Sequence, residues 1–181
     1  MEMMDSLKKV CLENNNIQDT GAIALSRALE DNDTLLSLHL ESNQITAEGA
    51  SALGEMLSNK FKLSKLNLNQ NQIGDEGFVK IAEGLNDVET LRIITLANTN
   101  VTKAGIPALA QSLQNKRFLT KLLLDNNAIG PEGAQLLADG IQHNETLTNL
   151  HLAHCGIGEE GTLAIARILG NKRNLLVLDI N

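Results

Sequence analysis

The stretch LHLESNQITAEG, residues 38–49, combines alternating leucines with an asparagine, an isoleucine and a glycine at set intervals. LNLNQNQIGDEG, residues 66–77, repeats these positions, and LLLDNNAIGPEG, residues 122–133, repeats them again further along the chain. Self-similarity at a period of about 20–50 residues is the signature of a repeat architecture. The pattern therefore predicts a stack of similar units rather than one irregular core.

The repeat units have a constant length of 28 residues, and no insertion interrupts them. If Leu7 is counted as position 1, the following units begin at Leu35, Leu63, Leu91, Leu119, Leu147 and Leu175. Positions 4 and 6 are apolar in all seven units, position 11 is Ile or Val, and position 15 is Gly in the six complete units. Position 9 carries Asn15, Asn43, Asn71, Thr99, Asn127 and Cys155. Residues 7–181 are thus predicted to form a single domain of six full repeats plus a seventh strand, after an N-terminal remnant, residues 1–6.

Each unit is predicted to contain one strand and one helix. Positions 4 and 6 alternate with polar positions, which indicates a short strand with one buried face. Ala50, Leu53 and Leu57 have helical spacing. Thr46 and Thr102 are expected to cap helices, and Pro131 suits a first helical turn. Because strands stack about 4.8 Å apart and helices are about 10 Å wide, the array must bend. The predicted fold is an α/β solenoid with its parallel β-sheet on the concave face and its α-helices on the convex face.

This LxxLxLxxNxI(x)₃G unit resembles the leucine-rich repeat in its 28-residue, ribonuclease-inhibitor-like form. The resemblance covers residues 7–181. That subclass is built from two alternating repeat types, and the units here alternate as well. One set of junctions recurs in every second unit: NKFKLSKL (59–66), NKRFLTKL (115–122) and NKRNLLVL (171–178). The other set consists of DNDTLLSL (31–38), DVETLRII (87–94) and HNETLTNL (143–150). The NOD-like innate immune receptors have arrays that resemble these units.

Position 9 is expected to form a structural ladder. An Asn amide both donates and accepts, so it can satisfy backbone groups in a tight turn that water cannot reach. Unpaired buried groups of this kind cost roughly 1–3 kcal/mol each. Thr99 and Cys155 fit the same space but bond less well, which predicts locally weaker ladders there.

Strand positions 3, 5, 7 and 8 are free of core packing and face the concave side, where we expect a partner to bind. The charged residues on this face are of both signs, with three Lys against four acids. The chain has no Trp or Tyr, residue types that are enriched in binding hot spots. The predicted partner-binding residues are Lys9, Glu13, His39, Glu41, Lys65, Asn67, Asn69, Thr95, Lys121, Asp125, His151, His154 and Asp179.

Several kinds of partner are excluded by composition. The net charge of −7 argues against nucleic acid and anionic membranes, since phosphate binding needs a concentrated basic field. The sequence contains neither a long apolar segment nor a secretion signal, so a cytoplasmic location is expected. Cys11 and Cys155 belong to the first and the sixth unit, at opposite ends of the array, so a disulfide between them is not expected.

Catalytic and metal chemistry are not predicted either. His151, His154 and Cys155 lie together in sequence, but Cys155 occupies an inward position, so the three cannot converge on one metal ion. The sequence shows no nucleophile with its base, no phosphate-binding loop and no paired carboxylates in a pocket. We therefore expect no enzyme activity, cofactor, metal or small-molecule substrate.

The function most consistent with these features is a protein–protein interaction scaffold that binds a protein through its concave strand face. Both ends look cut, with little capping sequence, which suggests a segment of a longer protein. Two alternatives stay open. The array could regulate a GTPase or another enzyme, as the similar Ran GTPase-activating proteins do, or it could be a structural or autoinhibitory arm.

Overall fold

The chain forms seven short strands that alternate with six helices. The computed structural model describes residues 6–60, 62–86, 88–114, 116–170 and 174–181. The strands are β1 (Lys9–Cys11), β2 (Ser37–His39), β3 (Lys65–Asn67), β4 (Ile93–Thr95), β5 (Lys121–Leu123), β6 (Asn149–His151) and β7 (Val177–Asp179). The helices are α1 (Gln18–Leu29), α2 (Ala47–Leu57), α3 (Gly74–Gly84), α4 (Ile106–Leu113), α5 (Gly130–Ile141) and α6 (Gly158–Leu169).

All seven strands lie in one parallel sheet, in the order of the chain. Leu38 of β2, for example, pairs with Val10 of β1 and Leu66 of β3, so each residue lies beside its equivalents in the neighbouring units. Among the described residues, the only helices that contact each other are consecutive in the chain. Since helices need about twice the spacing of strands, the sheet lies on the concave side and the helices on the convex side. This confirms the predicted α/β solenoid.

The core lies between the sheet and the helices. The core includes residues from each part of a unit, and all of them are fully buried: Leu38 of β2, Leu40 and Ile45 of the turn that follows, and Leu53 and Leu57 of α2. The corresponding residues of the middle units are buried in the same way, and they form one continuous apolar cluster. No unit could bury its strand and helix alone, so the stacking of neighbours provides the stability.

The expected helix caps are partly wrong. Pro131 does occupy the first turn of α5. Thr46 precedes α2 but its side chain does not cap that helix, and α4 begins only at Ile106, beyond Thr102. Both threonine hydroxyls donate instead to a carboxylate of the preceding unit. The bonding partner of each threonine hydroxyl thus belongs to another unit. The spacing between the threonine and its own helix cannot reveal that partner.

Candidate partner-binding surface

The parallel register turns equivalent positions into rows across the sheet. Position 3 carries Lys9, Lys65 and Lys121 near the start of alternate strands, and positions 5 and 7 carry most of the acids and histidines near the strand ends. The strand rises ~3.3 Å per residue, so positions 3 and 7 are about 13 Å apart. The face therefore has a basic row and an acidic row.

The lysines of the basic row reach solvent. Lys9 and Lys65 are exposed and Lys121 is half-buried. Lys9 and Lys65 line one shallow depression with His39. None of the three lysines takes part in an ion pair among the residues described. Their charges are thus open to a partner.

Near β1 and β2, His39 contacts both Glu13 of the acidic row and Ser37 of the sheet. His39 Nδ1 lies 3.7 Å from Glu13 Oε1, and its Nε2 lies 2.8 Å from the hydroxyl of Ser37. Polar contacts at both ring nitrogens hold the imidazole in one orientation. His39 and Glu13 are half-buried, so their outer edges remain accessible.

In the middle of the sheet, Asn67 connects three strands. Its Nδ2 donates to Glu41 Oε2 at 2.9 Å, and its Oδ1 accepts from the Thr95 hydroxyl at 2.8 Å. Thr95 is only 8% exposed. Glu41 and Asn67 present polar groups to solvent, whereas Thr95 chiefly orients Asn67.

Two residues of the predicted surface also stabilise the sheet. Asn69 Oδ1 accepts from the backbone N–H of Ala97 at 2.8 Å, and Asp125 Oδ1 accepts from that of Ala153 at 2.9 Å. Asn69 and Asp125 occupy position 7 of the third and the fifth unit. The two alternating unit types therefore also differ at position 7. Substitution of either residue would change the strand ends in addition to the surface charge.

His154 lies on a turn rather than on a strand. It has φ 55°, in the left-handed region, and its backbone N–H donates to Asn181 O at 2.6 Å. All six complete units have this conformation at position 8, at Asn14, Ser42, Gln70, Asn98, Asn126 and His154. The side chain of His154 is exposed, and it lies at the rim of the face.

Asp125, His151 and Asp179 come together on the last three strands. One potential ligand atom from each lies within 4.8 Å of the other two. His151 Nδ1 is 4.0 Å from Asp179 Oδ2. All three residues are half-buried.

The position 9 residues lie inside the turns. Asn43, Asn71 and Asn127 are buried, as are Thr99 and Cys155, while Asn15 of the first unit is exposed. Asn71 is typical of the series: its Nδ2 donates to Leu40 O and Leu68 O, and its Oδ1 accepts from the backbone N–H groups of Asn43 and Ile45.

Both cysteines are free thiols. Cys11 is exposed, whereas the buried Cys155 thiol lies 3.1 Å from Leu124 O. Burial raises the pKa of the Cys155 thiol above its ordinary value. Its burial and its contact with Leu124 O place Cys155 on the core side of the turn.

Position 26 of the repeat carries buried lysines that the repeat pattern did not predict. Lys60 and Lys116 occupy it in alternate units, and both are about 1% exposed. Lys60 Nζ donates to Glu30 O at 2.9 Å, and Lys116 Nζ donates to Asn86 O at 2.8 Å, at the ends of the preceding helices. The recurrence of Lys in the NK junctions of every second unit was a signal for this role.

A second missed feature borders the basic row. The Arg92 guanidinium lies over the Phe118 ring, with Cζ 5.5 Å from its centroid. Phe118 is 49% exposed. An exposed aromatic ring beside an arginine has the composition of a binding hot spot. Arg92 and Phe118 stand at opposite ends of the unit that begins at Leu91, so their spacing in the sequence did not indicate the contact.

Comparisons with known proteins agree with this architecture. No curated protein sequence matches the chain. Among solved structures, the chain is similar to "Leiomodin-1 Actin-Binding Site 2 (ABS2)", with a TM-score of 0.50 and 20% identity over 94% of this chain and 85% of that one. It is also similar to "Plant peptide hormone receptor RGFR1 in complex with RGF2", with a TM-score of 0.44 and 16% identity over 85% of this chain and 29% of that one. At 20% identity, the likeness to the first of these structures concerns the fold alone.

A family model described as Leucine Rich repeat matches residues 6–26, 31–54, 59–82, 115–138 and 143–166, together more than half of the chain. Each of these segments contains one strand, namely β1, β2, β3, β5 or β6, and most of the helix that follows it. This chain belongs to the leucine-rich repeat family.

Proposed function

We propose that this chain is a protein-binding module that recognises its partner through the sheet face, by charge complementarity to the basic and acidic rows. The observation that carries the proposal is the spacing of these rows. Acidic groups of the partner would face Lys9, Lys65 and Lys121, and its basic groups would face Glu13 and Glu41 about 13 Å away.

The Arg92–Phe118 pair adds an anchor beside the basic row. Charged rows chiefly set specificity and association rate, whereas a packed aromatic residue contributes more to affinity. Leu36, 41% exposed, adds apolar surface near the start of β2. We propose that the central contact with the partner lies near the beginnings of the strands, where the basic row is.

The alternation of unit types supports the ribonuclease-inhibitor-like subclass. Asp19 and Asp75 make equivalent contacts in alternate units, and so do Lys60 and Lys116. We propose this subclass for the chain, with residues 7–181 as one domain. An innate immune receptor would be one context for such an array.

A cytoplasmic location is also part of the proposal. The two free cysteines support it, since paired cysteines are typical of secreted domains. None of the described helices has both the length and the apolar character needed to cross a membrane. The net charge of −7 supports a protein partner over a nucleic acid.

A pull-down of cell lysate proteins tests the binding face. The triple variant Lys9→Glu, Lys65→Glu, Lys121→Glu reverses the basic row, and Phe118→Ala removes the ring of the anchor. The matched control reverses three exposed cations on the helices, in Arg27→Glu, Lys80→Glu, Arg167→Glu. We expect proteins retained by the wild type and the control to be lost from both face variants. Loss in the helix control, with retention by the face variants, would contradict the proposal.

The two alternatives left open by the sequence are separated by a second measurement. A regulator of a GTPase would accelerate nucleotide hydrolysis by a captured GTPase at substoichiometric amounts, which a passive binding module cannot do. A structural or autoinhibitory arm would retain no lysate protein in the pull-down. Neither alternative is favoured by a contact among the described residues.

A further inference from the structure

A cluster of metal-ligating side chains crosses the last three strands of the sheet. His151 and Asp179 are direct partners in the register of β6 and β7. Asp125 follows shortly after the end of β5, on the other side of His151. One nitrogen and two carboxylate oxygens lie within 4.8 Å of one another. Because each residue is carried by a paired strand or its extension, the backbone holds the three together.

The two carboxylates are already oriented by backbone donors. Asp125 Oδ1 accepts from Ala153 N at 2.9 Å, and Asp179 Oδ1 accepts from Asn181 N at 3.3 Å. Hydrogen bonds of this type support metal sites, because they hold a ligand in place. In each carboxylate the other oxygen, Oδ2, is left for a cation.

The electrostatics of the cluster also favour a cation. Two carboxylates repel each other at this separation, and neither forms an ion pair with Lys or Arg among the described residues. The half-buried setting weakens the screening of that repulsion by water. A divalent ion would neutralise both charges.

We propose that Asp125, His151 and Asp179 form a binding site for a divalent transition-metal ion, best matched by Zn²⁺. Imidazole and carboxylate are ligands of Zn²⁺ at about 2.0–2.2 Å, so tetrahedral ligands lie roughly 3.4 Å apart. The ligand atoms here lie within 4.8 Å of one another, so they need to approach by up to about 1.4 Å to reach that spacing. The three residues leave the fourth position open to water or to a group of a partner.

In the sequence, His151 lies close to His154 and Cys155, and these three residues predict no metal site. Those residues do not complete a site, since the Cys155 thiol is buried against Leu124 O and His154 is exposed on a turn. The proposed ligands come instead from the unit before and the unit after that of His151. The parallel register places them side by side.

The first units of the chain contain a natural control for this site. Glu13, His39 and Asn67 occupy the same three positions of the repeat, four units earlier. The His–carboxylate pair is present there at 3.7 Å, but an amide stands in place of the second carboxylate. Asp179→Asn would give the proposed site the ligand types of this control set.

The test is zinc titration of the full chain by calorimetry, in a Cys11→Ser background because the exposed thiol is itself a zinc ligand. We expect one Zn²⁺ per chain. We also expect His151→Ala, Asp125→Asn and Asp179→Asn each to weaken binding by about tenfold or more, since even changes to the residues that orient a ligand cost ~10–100-fold. His39→Ala should leave the affinity unchanged. Co²⁺ in place of Zn²⁺ should give visible absorption bands that are lost in His151→Ala.

Circular dichroism establishes that each variant is folded before titration. Binding that survives His151→Ala, or that is lost in His39→Ala instead, would overturn the proposal. So would the absence of heat and of Co²⁺ absorption up to millimolar metal with folded protein. The measurement needs no protein partner, so its result is independent of the binding function proposed above.

Discussion

The carboxylate of Asp19 in α1 accepts hydrogen bonds from Thr46 of the next unit, from its backbone N–H at 2.7 Å and from its hydroxyl at 2.6 Å. It also accepts the N–H of Gly49 at 2.9 Å. Asp75 makes the equivalent bonds to Thr102 and Gly105. A carboxylate in one unit thus orients the helix start of the next, which couples neighbouring units beyond their apolar contacts.

Asp19→Ala should lower the free energy of unfolding by about 1–2 kcal/mol, the usual cost of a lost helix cap. Denaturant unfolding measures this change. Asp33→Ala is the control, because Asp33 is exposed and its nearest partner, Lys62 Nζ, is 3.9 Å away. Equal losses in the two variants would show that the contact between units adds nothing.

The contribution of Asp19 should also depend on pH. Burial by itself would raise the pKa of Asp19, but the hydrogen bonds from Thr46 and Gly49 bring it below its ordinary value. The unfolded chain then takes up a proton first as pH falls, so the stabilisation is complete well above pH ~3.9 and is lost below it. The stability difference between wild type and Asp19→Ala should therefore shrink in acid. A difference that grows in acid would contradict this sign.

Lys60→Ala should destabilise the chain by about 2–4 kcal/mol, because it removes a buried stem and leaves Glu30 O without its donor. Lys60→Met retains the stem and should cost less. Exposed Lys62→Ala should cost little. Similar unfolding free energies for Lys60→Ala and Lys62→Ala would show that the buried contact is dispensable.

Lys60 should give a pH dependence of the same sign as that of Asp19, but in the alkaline range. Burial lowers the pKa of the Lys60 amine, and the carboxylates of Asp31, Asp33 and Glu30 only partly offset this. As pH rises toward the ordinary lysine value of ~10.4, the folded chain releases this proton first, so the wild type gains stability relative to Lys60→Met. Unfolding curves at pH 8 and about pH 10 measure the gain. A loss over that interval would contradict the assignment.

Gly84→Ala should destabilise the chain by about 1–3 kcal/mol or more, through overpacking between α2 and α3. A Cβ at Gly84 would lie far inside the van der Waals distance of Gly54 O, which is backbone and cannot rotate away. Gly170→Ala is the matched control, because a Cβ there meets nothing within 4 Å and the backbone is right-handed helical. We expect the control to be neutral or slightly stabilised in thermal unfolding. Equal effects would rule out close packing as the cause.

Thr99→Asn should stabilise the chain by about 1 kcal/mol, the usual net value of a hydrogen bond. At Asn43, Asn71 and Asn127, the Oδ1 accepts two backbone N–H groups of the preceding unit. Asn127, for example, accepts those of Thr99 and Val101. Among the hydrogen bonds of the described residues, none joins the N–H groups of Asn71 and Ile73 to the Thr99 side chain. An Asn at 99 would provide that acceptor. A lower midpoint in denaturant would show that the threonine hydroxyl bond to Leu96 O is worth more.

Much of the fold follows from the sequence because its constraints are local and are repeated. Closely spaced leucines, followed by an apolar helical face, specify one buried strand face and one buried helix face in each unit. A constant repeat length then places Leu38 beside Leu66 whatever the details of the loops. The residue types of the concave face follow from the same period, since alternate strand positions must point to solvent.

The contacts made across units were decided by the tertiary structure. Asp19 accepts a hydrogen bond from Thr46, Lys60 donates one to Glu30 O, and Gly84 packs closely against Gly54 O. Each depends on the offset between neighbouring helices, which the period does not specify. The grouping of Asp125 with His151 and Asp179 likewise exists because parallel strands pair in register. Periodicity determines which residues face the same side, whereas the distance between their side chains depends on how adjacent units pack.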